Sequence, residues 1–234
     1  MEGKIAILDL TMSEFLSINN FKKAALLGLI MTLFSAPRIL TSGIYSLRHV
    51  ISAFAALTLL SAAVTAWGKS AGMKGPFPPA GEVRQGLKLA ALIIILFFPI
   101  KVLWFNPALY AAVESTGNAD ALVLLFPETL PAGIALTLWV MSFETLFFQA
   151  AAISFFGRLS RHFLAALILS TLFRGYVSWL KLGNIGVETA QFLILSHALI
   201  INVISCILFA RYGLPASMLF IGGISIYRWT FLWG

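Results

Sequence analysis

The chain has 234 residues, 60% of them apolar and only 11% charged, with a formal net charge of +7 and a mean hydropathy of +0.95. Soluble domains carry about a quarter of their residues as charges, so this composition excludes a soluble globular protein and gives a polytopic membrane protein whose first partner is the lipid bilayer. The basic excess does not point to nucleic acid, because Lys and Arg cluster between apolar runs, where they set topology.

Residues 1–23 place Ile5, Leu8, Met12, Phe15 and Leu16 at near-helical spacing with Asp9, Ser13 and Glu14 between them. That pattern predicts an N-terminal interfacial helix, and the acids ahead of the first apolar run argue against a secretory signal. The transmembrane domain then occupies 24–234. A first span is expected from Ala24 to Leu40, short and interrupted by Pro37 and Arg38, and a second from Ile44 to Trp67. Gly68 to Gln85 reads as a Gly/Pro-rich basic loop, with Lys69, Lys74 and Arg84. A third span, Gly86 to Phe105, ends with Lys101 and Trp104, which suit a snorkelling lysine and an interfacial tryptophan. The following loop, Asn106 to Gly133, carries Glu114, Asp120 and Glu128 but no Lys or Arg.

Ile134 to Gly157 is again long enough to span, and it carries Glu144 near its middle. A short basic turn with Arg158, Arg161 and His162 follows. Further spans are predicted over Phe163 to Leu182, Thr189 to Ala210 and Leu214 to Trp233, the last ending in Tyr227, Arg228 and Trp229, which read as an interfacial belt. The fold class is therefore all-α: a transmembrane bundle of six or seven spans plus the interfacial helix. Basic loops on the cytoplasmic side put the 106–133 loop outside and, with seven spans, the N-terminus inside a multi-pass protein of the cell membrane.

A charged side chain at the bilayer centre costs roughly 2.5 to 3.5 kcal/mol on insertion scales, so it is expected to face a bundle interior, a partner or a water cavity. Glu144, Arg174 and His197 fall near the middle of three consecutive spans. They are the candidate site residues. One reading makes them a structural lock: a buried Glu144–Arg174 ion pair with His197 hydrogen-bonded to a carbonyl. The other lets Glu144, held by Arg174 or His197, activate water or carry a proton. Gln149 and Asn202 read as interhelical glue. A third metal ligand at matching depth is missing beside Glu144 and His197, so neither a metal nor another cofactor is assigned. The single cysteine, Cys206, sits inside an apolar run with no second thiol to pair with, and is read as buried and inert.

From Phe143 onward the layout resembles the CPBP family of CAAX proteases and bacteriocin-processing intramembrane peptidases, over a core of about 134–234. In that family an E-E-x-x-x-R motif lies on one helix, F-x-x-x-H on the next and H-x-x-x-N on the last. Here Phe143-Glu144-Thr145-Leu146-Phe147-Phe148 falls at the first motif and Ser170-Thr171-Leu172-Phe173 at the second, while Ala210-Arg211-Tyr212-Gly213-Leu214 looks like the turn before the last helix. Phe143, Phe148, Val177, Gly222 and Ile226 stand where the family has its other motif residues, so Glu144 is the one retained. The resemblance implies a weak or inactive intramembrane peptidase relative that binds a membrane protein or a prenylated or otherwise lipid-modified peptide near Glu144. An active glutamate-dependent endopeptidase with a rearranged site and a small proton-relay transporter are the alternatives.

Overall fold

The structure, a computed structural model, describes residues 15, 17–41, 47–115, 117, 125–182 and 188–229. Most of the interfacial segment expected at 1–23 therefore lies outside the described residues. The described chain is built from helices and turns. Six helices are long and apolar enough to cross a bilayer: α1 (Ile18–Leu40), α2 (Leu47–Trp67), α3 (Ala80–Glu114), α4 (Leu130–Ser160), α5 (Phe163–Leu180) and α6 (Glu188–Tyr212). A shorter apolar helix, α7 (Leu214–Ile226), completes the bundle. The protein is thus a multi-pass integral membrane protein. With no water in the hydrocarbon region, each backbone polar group must be satisfied within its own segment, and helices achieve this.

Several boundaries differ from the sequence reading for physical reasons. α1 begins at Ile18 and continues through Pro37, which lacks a backbone N–H to donate and is followed by only one further turn of helix, to Thr41. α3 does not end at the lysine and tryptophan near position 105 but runs on to Glu114, 35 residues in all. Just past Pro99 it passes through a π-helical stretch, Ile100–Phe105, before resuming as α-helix at Asn106. The start of the expected 106–133 loop is therefore helical, and Lys101 lies well inside a helix. α7 is 13 residues long, and the chain turns at Tyr227 and Arg228 instead of continuing to the end of the apolar run.

α4 is the central element, packing against α1, α2, α5, α6 and α7, while α3 packs on α6 and α7. Small residues set the closest approaches, as expected where helices associate by packing and not by exclusion of water. A methyl group added at Gly28 of α1 would lie 2.4 Å from Thr58 Oγ1 of α2. One added at Gly222 of α7 would lie 2.4 Å from the Met141 sulfur of α4. Neutral hydroxyls add interhelical bonds: Ser35 and Ser142 meet at 2.7 Å between α1 and α4, and Ser225 Oγ donates to Thr137 Oγ1 at 2.9 Å between α7 and α4.

The turns that carry the basic residues meet at one end of the bundle. The Lys74 backbone N–H donates to the Ala210 carbonyl at 2.8 Å, and Leu214 N–H donates to the Pro76 carbonyl at 3.0 Å. Met73 fills the space beside Gly157 at the end of α4. Gly213 makes the α6–α7 corner at φ 79°, a left-handed conformation that glycine adopts without a Cβ penalty. Arg161 closes α4 with φ 57° and an N–H bond to the Gly157 carbonyl at 2.9 Å.

Candidate functional site

Glu144 lies in a second π-helical stretch, Val140–Ala151, inside α4. A π-turn widens the helix and shifts the side chains that follow relative to an α-helical register, and such segments recur at functional sites. Here the Thr145 hydroxyl donates to the Val140 carbonyl five residues back, at 3.0 Å. Glu144 and Gln149 both come from this stretch. Lys101 comes from the π-helical stretch of α3.

The sequence-derived trio does converge. Glu144, Arg174 and His197 all line one cavity of about 40 Å³ formed by α4, α5, α6 and α7, together with Gln149, Ser225 and Arg228. Arg174 Nη2 donates to Glu144 Oε2 at 3.1 Å, with 17% and 26% of the two side chains exposed. The guanidinium also lies 3.9 Å from the centroid of the Phe148 ring, a cation–π contact on a buried aromatic face. That ring is held in turn by edge-on packing against Phe147 and a tilted contact with Phe173. Arg174 is therefore fixed by a carboxylate and by an aromatic face.

His197 takes a different partner from the one expected. Its Nε2 lies 3.0 Å from Lys101 Nζ, so the lysine donates to the ring nitrogen. Its ring also packs at 4.9 Å from that of Phe105, and the same ammonium sits 4.0 Å from the Phe105 centroid. Lys101 is only 2% exposed. It is no snorkelling anchor, because the continuation of α3 buries it against α6. Arg228, expected in an interfacial belt, instead lines the cavity and acts electrostatically on both Glu144 and Arg174. The turn that carries it is pinned inside the bundle: Asn106 Nδ2 donates to the Tyr227 carbonyl, Tyr227 Oη donates to the Ile94 carbonyl at 2.9 Å, and the Trp229 indole packs on Gly133.

Beside the charges lies a neutral network. Gln149 Nε2 donates to Asn202 Oδ1 at 3.3 Å, and Asn202 Nδ2 reaches Thr171 Oγ1 at 3.4 Å and Cys206 Sγ at 3.7 Å. Cys206 is fully buried, as its place in an apolar run implied. Gln149 is also buried, and its Oε1 has no hydrogen-bond partner.

Chemically, the site is a small polar pocket lined by one carboxylate, two guanidiniums and an imidazole. Among the described residues no group of three His, Cys, Asp or Glu side chains is placed to hold a metal ion. Lys101 and Arg228 are the site residues that sequence reasoning missed. The available signal was that each is a cation flanked by apolar residues, but each also sits beside a tryptophan, which suggested an interface. Comparison of the chain with protein families, curated proteins and solved structures finds no match.

Proposed function

We propose that this protein is a CPBP-like membrane protein without hydrolytic activity, which binds a membrane protein or a lipid-modified peptide at the cavity around Glu144. The observation that carries the reading is the 3.1 Å pairing of Glu144 with Arg174. Peptide hydrolysis needs a group to activate water, a group to stabilise the oxyanion and a proton donor for the leaving amine. The single carboxylate is already neutralised by a guanidinium, and His197 already accepts from Lys101. Glu144 and His197 are thus each engaged by a basic side chain of the protein itself, and Arg174 by the carboxylate. Gly222, which stands near the family's last histidine, lies against Met141 with no space for a larger side chain. Phe148, in place of the motif arginine, serves as the surface on which Arg174 rests.

The reading also places the protein in the cell membrane with its N-terminus and the clustered basic turns on the cytoplasmic side. The gathering of Lys74, Arg161 and Arg211 at one end of the bundle supports this, since Lys and Arg concentrate on cytoplasmic loops. The experiment is to reconstitute the purified protein in liposomes and incubate it with prenylated and unmodified membrane peptides beside Glu144→Ala. The expected result is saturable binding without cleavage in the unmodified protein. Cleavage that disappears in Glu144→Ala, with folding intact, would make Glu144 a catalytic base and overturn the proposal.

A further inference from the structure

Arg174 and Arg228 both line the cavity, and Glu144 is the one carboxylate among the residues that line it. Two guanidiniums thus face one carboxylate. Uncompensated charge inside a low-dielectric bundle is costly, and a protein that retains it commonly does so by supplying a counter-charge. The protein's own carboxylate is already taken by Arg174, the nearest of the cations.

From this geometry we infer that the cavity is a binding site for a carboxylate that is not part of the protein. The inference rests on the reading of the cavity as a ligand site but not on the ligand being a peptide. Three features of the pocket point to this class of group. Its volume of about 40 Å³ is room for about three water-sized groups, enough for a planar carboxylate. Its cationic wall includes Arg228, whose planar guanidinium matches a carboxylate in a two-pronged geometry. Opposite, the buried Gln149 Oε1 has no donor. The amide orientation follows from its network, because Asn202 gives both its N–H groups to Thr171 and Cys206 and so presents its oxygen to Gln149 Nε2. A water carried in with the carboxylate satisfies that oxygen while it hydrates the anion.

Two sources supply such a group: a free small carboxylate entering with water, or the head of a single-chain amphiphile entering sideways from the bilayer. For either source the pair is reachable, since both Glu144 and Arg174 keep part of their side chains accessible.

The test uses full-length protein in an uncharged detergent, with melting followed by tryptophan fluorescence. Sodium acetate, palmitate and the uncharged hexadecanol are each compared with the bulky sulfonate MES at equal ionic strength. A ligand that binds only the folded state is expected to raise the melting temperature saturably, by about 3 °C at ten times its Kd. A rise with acetate assigns the free ion, and a rise with palmitate alone assigns the amphiphile head. Arg228→Gln and, as a second variant that keeps side-chain bulk, Arg228→Met are each expected to remove most of the rise, while Arg228→Lys retains part of it. No rise with either carboxylate beyond the MES control, a rise with hexadecanol equal to that with palmitate, or a rise unchanged in Arg228→Gln and Arg228→Met would overturn the inference. Failure to bind peptide, by contrast, would overturn the proposed function and leave the carboxylate result standing.

Discussion

Two polar clusters lie side by side in the middle of this bundle and solve different problems. The Gln149–Asn202–Thr171 network and the paired serines are neutral, and nearly every donor finds an acceptor on a neighbouring helix. The cluster of Glu144, Arg174, His197, Lys101 and Arg228 is charged and unbalanced, with more cations than the one carboxylate can satisfy. Neutral polar pairs in membranes contribute modestly, averaging about 0.6 kcal/mol, because the separated helices find other partners. Charges have no such alternative in hydrocarbon. The comparison teaches that the neutral cluster finds its partners within the bundle, and that the charged one needs a reason beyond packing.

The sharpest way to break this contrast is to remove the carboxylate. Glu144→Gln leaves Arg174 and Arg228 without an opposing charge, and truncating one member of a fully buried pair costs about 3 to 5 kcal/mol, an upper bound for this part-buried one. It is expected to be the most destabilising single change in the cluster, measured by thermal or denaturant unfolding in detergent. Arg174→Ala is expected to cost less, about 1 to 3 kcal/mol, because it removes a cation from a site with an excess and leaves Arg228 to act on Glu144. The reverse order would mean that the cations do not repel one another as the geometry implies.

Smaller effects sharpen the same contrast. Lys101→Met keeps bulk and the packing on Phe105 while deleting a buried charge, and such exchanges are often neutral or stabilising by about 1 kcal/mol. A loss of several kcal/mol in the unfolding measurement would instead make the Lys101–His197 contact a principal lock of the fold. In the neutral network, Asn202→Leu is expected to cost about 1 kcal/mol, through loss of its bonds to Gln149 and Thr171. A cost as large as that of Glu144→Gln would erase the distinction between the two clusters.

Much of this arrangement was legible in the sequence. Counting along the apolar runs put Glu144, Arg174 and His197 at a common depth, and depth is robust because a boundary error of two residues moves a group only about 3 Å. Facing and local register were not legible. The π-helical stretches of α3 and α4 leave no hydropathy signature, yet they hold Lys101, Glu144 and Gln149. Lys101 was hidden because Pro99 and Trp104 resemble a helix end, whereas the chain stays helical as far as Glu114. Arg228 was hidden because an aromatic and basic tail normally marks an interface. Here Asn106 and the Ile94 carbonyl hold Tyr227 against α3, which draws the arginine inward.

Orientation can be read directly by thiol labelling in a Cys206→Ala background. Gly81→Cys lies at the basic end and Ser115→Cys beyond the far end of α3, and both positions are exposed. The cysteine at 81 is expected to react from the cytoplasmic side and that at 115 from the opposite side. Exchange of the two would invert the assigned topology.

The most direct test of the central claim, that Glu144 is engaged by Arg174 inside a cation-rich cluster, is a double-mutant cycle of Glu144→Gln and Arg174→Ala read by unfolding free energy. The single variants are expected to sum to more than the double variant loses, with a coupling of at least about 1 kcal/mol, because the double variant leaves neither charge of the pair behind. Strict additivity would show that the two side chains do not interact and would contradict the account.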